Sequence, residues 1–132
     1  IMAAANDASW QDAFLSASTR YARSEATGTN TLTQAAQANR AWKLEKLDAS
    51  IAGPDWAGGI VYIAVYDGAV TDTILWKTFL SQVTGSVGRS YDFANQLPDE
   101  GIVGTPGSAM TVVLFGLGAT QTSEINSKFS AA

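Results

Sequence analysis

Residues 60–66, IVYIAVY, stand between Gly59 and the turn pair Asp67-Gly68. β-branched and aromatic side chains suit a pleated, half-buried surface and lose rotamer freedom in a helix, so this run can hardly be anything but a strand. Its two-residue period puts Val61, Ile63 and Val65 on one face, and Ile60, Tyr62 and Tyr66 on the other. Further runs of the same kind follow. TILWKTFL comes after a short loop, as a hairpin partner would, and RSYDFAN alternates Tyr91 and Phe93 with Ser90 and Asp92. Residues 109–117 are apolar apart from Thr111 and Gly116, and read as a core strand with Met110, Val112 and Leu114 on one side and Val113 and Phe115 on the other, both sides mostly buried. SEINSKF sets Ile125 and Phe129 against Glu124, Asn126 and Lys128, a strand with one wet side. NRAWKLEKLDASIAG fits two periods: Leu44, Leu47 and Ile51 suit a helix, Trp42 and Leu44 a strand. About six short strands between Gly, Pro and Asp turns, with no βαβ spacing, predict an all-β sandwich or barrel.

The N-terminal part has a different composition. Residues 1–38 are rich in Ala, Ser, Thr, Asn and Gln, with Trp10, Phe14, Leu15 and Tyr21 as isolated large side chains. DASWQDAFLSAS can form a short helical turn with Trp10 and Phe14 on one face and Asp7 or Ser9 as its cap. Such a turn is marginal alone, so its aromatic residues are expected to dock elsewhere. The reading is an extended, partly helical N-terminal arm over 1–38 and a β-sandwich domain over 39–132. Trp10, Phe14 and Tyr21 are the expected protein-interface residues.

Several kinds of chemistry are closed to this chain. It has no Cys and no His, which removes thiolate nucleophiles, disulfides, Cys/His zinc sites and His-based acid–base catalysis. The net charge of −4 opposes nonspecific attraction to nucleic acid, and no apolar run reaches the roughly 18–20 residues that span a bilayer. Gly104-Thr105-Pro106-Gly107-Ser108 has a faint likeness to a phosphate loop, but it lacks the Lys and leads into a strand, so it reads as a turn. Asp67 with Asp72, and Asp99 with Glu100, lack the ligand spacing of a calcium loop and read as solvated carboxylates. No G-x-S-x-G elbow is present. A binding or structural protein without a cofactor is expected, not an enzyme. A third possibility, a small hydrolase, would need an acid–base pair that the spacing does not supply.

In order, LTQAAQANRAWKLEKLDASIA, GGIVYIAVYDGAVTDTILWKTFL, RSYDFANQLPDEGIVGTPGSAMTVVLFGLGA and TSEINSKF resemble a diffuse family of small tailed-bacteriophage virion proteins. The pattern is a strand ending in DG, an LW strand, an aromatic strand and a glycine-marked GT-x-GSA-TV entry to a core strand; the final SKFSAA departs from the aromatic, glycine-rich ending of many members. The resemblance implies a jelly-roll-like antiparallel β-sandwich and tips AWKLEKLDASI toward strand. It implies a capsid decoration (cement) protein on the virion surface, made in the bacterial host cytoplasm. The implied assembly is a homotrimer bound to the major capsid protein or another virion protein, with no cofactor, nucleic acid or membrane. The competing reading is a carbohydrate- or host-receptor-binding module of a phage tail or surface fibre. Its stacking residue would be Trp56, which stands in the loop GPDWAGG.

Overall fold

The structure is a computed structural model that describes residues 20–53, 60–70, 72–80, 88–118 and 120–131. Its elements are β1 (Arg20–Thr27), β2 (Asn30–Gln34), β3 (Trp42–Ala52), β4 (Val61–Asp67), β5 (Thr73–Leu80), β6 (Gly88–Asp92), β7 (Ile102–Val103), β8 (Met110–Phe115) and β9 (Thr122–Ala131). They form two antiparallel sheets: sheet A in the order β1-β9-β3-β6, with β7 also paired to β3, and sheet B in the order β2-β8-β4-β5. The pairings are nested. β4 lies with β5, β3 with β6, β2 with β8 and β1 with β9, as if one long hairpin had been folded over into two sheets. That is the strand order of a jelly roll.

One core lies between the sheets. Sheet A contributes Trp42, Leu44, Leu47, Ala49, Ile51, Ile125 and Phe129, and sheet B contributes Leu32, Val61, Ile63, Val65, Met110, Val112 and Leu114. Phe93, Leu97, Ile102 and Leu117 close its ends. Trp42 packs edge-on against Phe129 with centroids 6.3 Å apart, and its indole Nε1 donates to the Ala35 carbonyl at 2.8 Å, so the buried N–H keeps a partner.

β3 resolves the ambiguity of its own sequence. The ladder to β9 shifts register between Leu44 and Lys46, leaving Glu45 as an extra residue. Trp42 and Leu44 therefore point inward before the irregularity, and Leu47, Ala49 and Ile51 after it. The three- and four-residue spacing of Leu44, Leu47 and Ile51 comes from a strand that changes phase at a bulge.

The sandwich begins earlier than the sequence reading places it. Residues 20–34, assigned there to the arm, form β1 and β2 and belong to the two sheets. Their small polar side chains are held by ladders and by a buried polar knot: Asn30 is fully buried, and its Nδ2 donates to the Ser24 and Ser123 carbonyls and to Ser123 Oγ at 3.0–3.1 Å. Its Oδ1 accepts from Ser24 Oγ at 2.7 Å. Every polar atom of that side chain is partnered, which is what makes its burial tolerable. The expected helical turn with Trp10 and Phe14 lies outside the described residues.

The glycine-rich stretch is a turn, as its chemistry suggests. Gly104 N donates to the Trp42 carbonyl and Gly107 N to the Arg40 carbonyl, both at 2.8 Å, and Gly107 has φ +84°. The Thr105 backbone N donates to Asp67 Oδ1 at 3.1 Å and its hydroxyl to Asp67 Oδ2. Asp67 is thereby committed to pinning the turn beside the end of β4.

Candidate interaction surface

The two outward faces of the sandwich differ in chemistry. On sheet A the outward residues are charged and cross-linked. Arg23 Nη2 lies 3.3 Å from Glu25 and 3.1 Å from Glu124, two carboxylates directly opposite one another on β1 and β9. Glu45 lies 3.7 Å from both Lys43 and Lys128, and Asn126 Nδ2 donates to Asp48 and Glu124 at 3.1 Å. Exposed pairs of this kind contribute only about 0–1 kcal/mol each, and they mark a solvated face.

Sheet B presents the opposite. Its outward residues on β4 are Tyr62, Ala64 and Tyr66, continued by Ile60 just before the strand; β8 adds Thr111, Val113 and Phe115, and β5 adds Ile74, Lys77 and Phe79. Ala64, Tyr66 and Val113 form a second buried apolar cluster, with Tyr62 packed against it. Around it Ile60, Phe79 and Phe115 are 68%, 64% and 47% exposed, which is unusual for side chains of that size in neighbouring positions. Phe115 is thus less covered than the sequence predicts, because it stands at the end of β8 on the solvent side of the sheet.

The rings are ordered by register. Tyr62 stacks on Phe115 with centroids 5.1 Å apart and meets Phe79 edge-on at 6.3 Å. Lys77 Nζ sits 4.1 Å from the Tyr62 centroid and 5.0 Å from that of Phe79. Tyr62 therefore has Phe115 on the β8 side and Lys77 on the β5 side. The phenol of Tyr66 is raised above its ordinary value of 10.0, chiefly by burial, with a hydrogen bond to Tyr62 adding to the effect.

Of the residues singled out from the sequence, Trp10, Phe14 and Trp56 lie outside the described residues. Tyr21 is 78% exposed on β1, opposite Lys128 on the charged sheet, and so stands apart from the aromatic cluster. Asp72 accepts from Ala69 N at 2.8 Å across the β4–β5 turn. Among the described residues no three His, Cys, Asp or Glu are grouped so as to hold a metal ion. Phe79 and Phe115 were not picked out as site residues by sequence reasoning; the available signal was the apolar second face of residues 60–66 and 109–117 and, for Phe79, the largely apolar run 73–80.

No protein-family model matches the chain, and no curated protein sequence matches it. Solved structures with a similar course of the chain include a glycoside hydrolase family 43 arabinoxylan arabinofuranohydrolase from Bacillus subtilis, at 10% identity over 83% of this chain and 20% of that one, with a TM-score of 0.39. A family 6 carbohydrate-binding module matches at 14% identity, over 81% of this chain and 70% of the other, with a TM-score of 0.34. The structure of tomato aspermy virus matches at 11% identity, 85% and 77% coverage, and a TM-score of 0.37. Likenesses this distant carry no weight for function, and the fold assignment rests on strand order.

Proposed function

We propose that the protein is a virion structural component, a decoration (cement) protein of the kind the sequence resembles, and that it binds its neighbours through the outer face of sheet B. The observation that carries this reading is the contrast between the two faces: one a lattice of charges, the other, across β5, β4 and the end of β8, an aromatic and aliphatic surface bordered by the threonines of β2, with Lys77 its one central charge among the described residues. Water-facing sheets normally alternate apolar-in and polar-out, and an exposed apolar face costs solubility unless something covers it. Aromatic residues with a neighbouring cation are also the side chains that anchor protein interfaces.

Co-sedimentation with purified empty shells tests the reading. Phe79→Ala and Phe115→Ala are expected to weaken shell binding by about ten- to a hundredfold while the fold is kept, the range of a modest interface anchor. Unchanged binding in both would refute it. A saturable glycan-array signal lost in Trp56→Ala would favour the carbohydrate module instead.

A further inference from the structure

β5 ends sheet B: among the described strands it pairs with β4 alone. Its sequence TILWKTFL is largely apolar and carries one charge; a bulge blunts its first part, and the regular remainder of such an edge is a template for another strand. We propose that β5 pairs antiparallel with β5 of a second copy about a two-fold axis through Thr78, joining two copies of sheet B into one eight-stranded sheet.

The edge is complementary to itself, its Lys77 matching its own Phe79, which points to a second copy, and three considerations fix the register. The ladder to β4 passes from Val65–Trp76 to Tyr66–Ile74, so Leu75 is an extra residue and the first part of β5 is bulged; only 76–80 offers a regular edge. In an isologous antiparallel pair, residues facing each other share a face, so Lys77 and Phe79 must meet outward-pointing residues and Trp76, Thr78 and Leu80 inward-pointing ones. An axis through Lys77 would set two ammonium groups directly opposite one another, and an axis through Trp76 or Phe79 would run the pairing into the bulge or past the end of the strand. An axis through Thr78 uses all of 76–80. It places Trp76 opposite Leu80 of the other copy, and Lys77 opposite Phe79.

The second of these pairs repeats, between copies, a contact that the chain already makes within itself, where Lys77 Nζ lies 5.0 Å from the Phe79 ring. The two aromatic patches become continuous across the axis. A pairing of only five residues is short, so the dimer is weak and depends on concentration.

Sedimentation of the full chain between about 10 and 300 µM, the range for an interface of this size, is expected to show a monomer–dimer equilibrium. The chain has no cysteine, so Thr78→Cys introduces a single thiol. A short bifunctional maleimide should convert that variant to covalent dimer, and should leave Thr33→Cys on the far edge strand monomeric. Thr78→Lys puts like charges at the axis and should weaken the dimer by about tenfold or more. Lys77→Glu, at an exposed position, replaces the cation that faces the Phe79 ring of the other copy with an anion, and should also weaken the dimer if Thr78→Lys does not fold.

A monomer at every concentration, a trimer such as the resemblance implies, or a dimer indifferent to both substitutions would overturn the proposal. The outcome is separable from the docking reading. A monomer whose shell binding falls in Phe115→Ala would refute the dimer alone, and a β5 dimer whose shell binding is untouched in Phe115→Ala would refute the docking face alone.

Discussion

Tyr66 shows how far a single side chain's surroundings can depart from what its place in the sequence suggests. It points away from the sandwich core, yet it is 6% exposed and its phenol is held above the ordinary value. A group with a raised folded-state pKa binds its proton more tightly when folded, so its contribution is fully present below the unfolded value near 10 and is lost as pH rises through the folded value. Stability should therefore decline above about pH 10, and Tyr66→Phe should flatten that part of the profile; denaturant melts from pH 8 to 11 on both chains measure it. Thr105 and Val112 make a second comparison. Val112→Ala should cost about 2–4 kcal/mol through lost burial and a cavity. Thr105→Ala should cost about 1 kcal/mol, for one hydroxyl hydrogen bond to Asp67 at an exposed turn, and thermal melts of the two variants separate these values. The Asp67–Thr105 contact was invisible in the sequence because its partners lie 38 residues apart; only the turn itself could be read locally.

At the level of elements, sequence reading succeeded where apolar or alternating runs stand between clear turns and failed where a second strand decides the phase. The runs that became β4, β5, β8 and β9 announced themselves by composition and by their turns, β5 despite the shift at Leu75. β3 did not, because its inward set changes parity at Glu45 and imitates a helix. β1 and β2 did not either: their polar side chains bury little, and their place in the sheets depends on the register to β9 and β8 and on the Asn30 knot. The bulge gives a sharp prediction. Deleting Glu45 joins Leu44 to Lys46 with the alternation intact, and the flanking pairs Leu44–Phe129 and Lys46–Lys128 are already consecutive on β9. The shortened chain should fold with a loss of about 1 kcal/mol or less, since it gives up only two long, half-buried ion pairs of Glu45 at 3.7 Å. Deleting Asp48 instead would turn Ala49 and Ile51 outward and should cost several kcal/mol, on the order of the loss for large core truncations. Urea melts of the two deletions should fall far apart, and equal losses would mean that β3 has no true bulge.

For the molecule as a whole, the unequal chemistry of the two faces decides how it should meet a partner. No single run of sequence displays the whole of that inequality, since each face is assembled from several strands; Tyr62 and Phe79 lie on consecutive strands, but Phe115 joins them only through the β5-β4-β8 order. Docking through sheet B would bury rings and aliphatic carbons with one central lysine, whereas docking through sheet A would have to engage or desolvate Arg23, Glu25, Lys43, Glu45, Glu124 and Lys128. Interactions among exposed charges are screened as the Debye length shrinks from about 10 Å at 0.1 M salt to about 3 Å at 1 M, while apolar burial is not weakened by such screening. Shell binding should accordingly change by less than about threefold between 0.1 and 1 M sodium chloride, and the small change should vanish in Lys77→Gln. Equilibrium co-sedimentation across that salt range provides the measurement. A loss of about tenfold or more at high salt would move the docking surface to the charged face of sheet A, where Tyr21 stands exposed among the ion pairs.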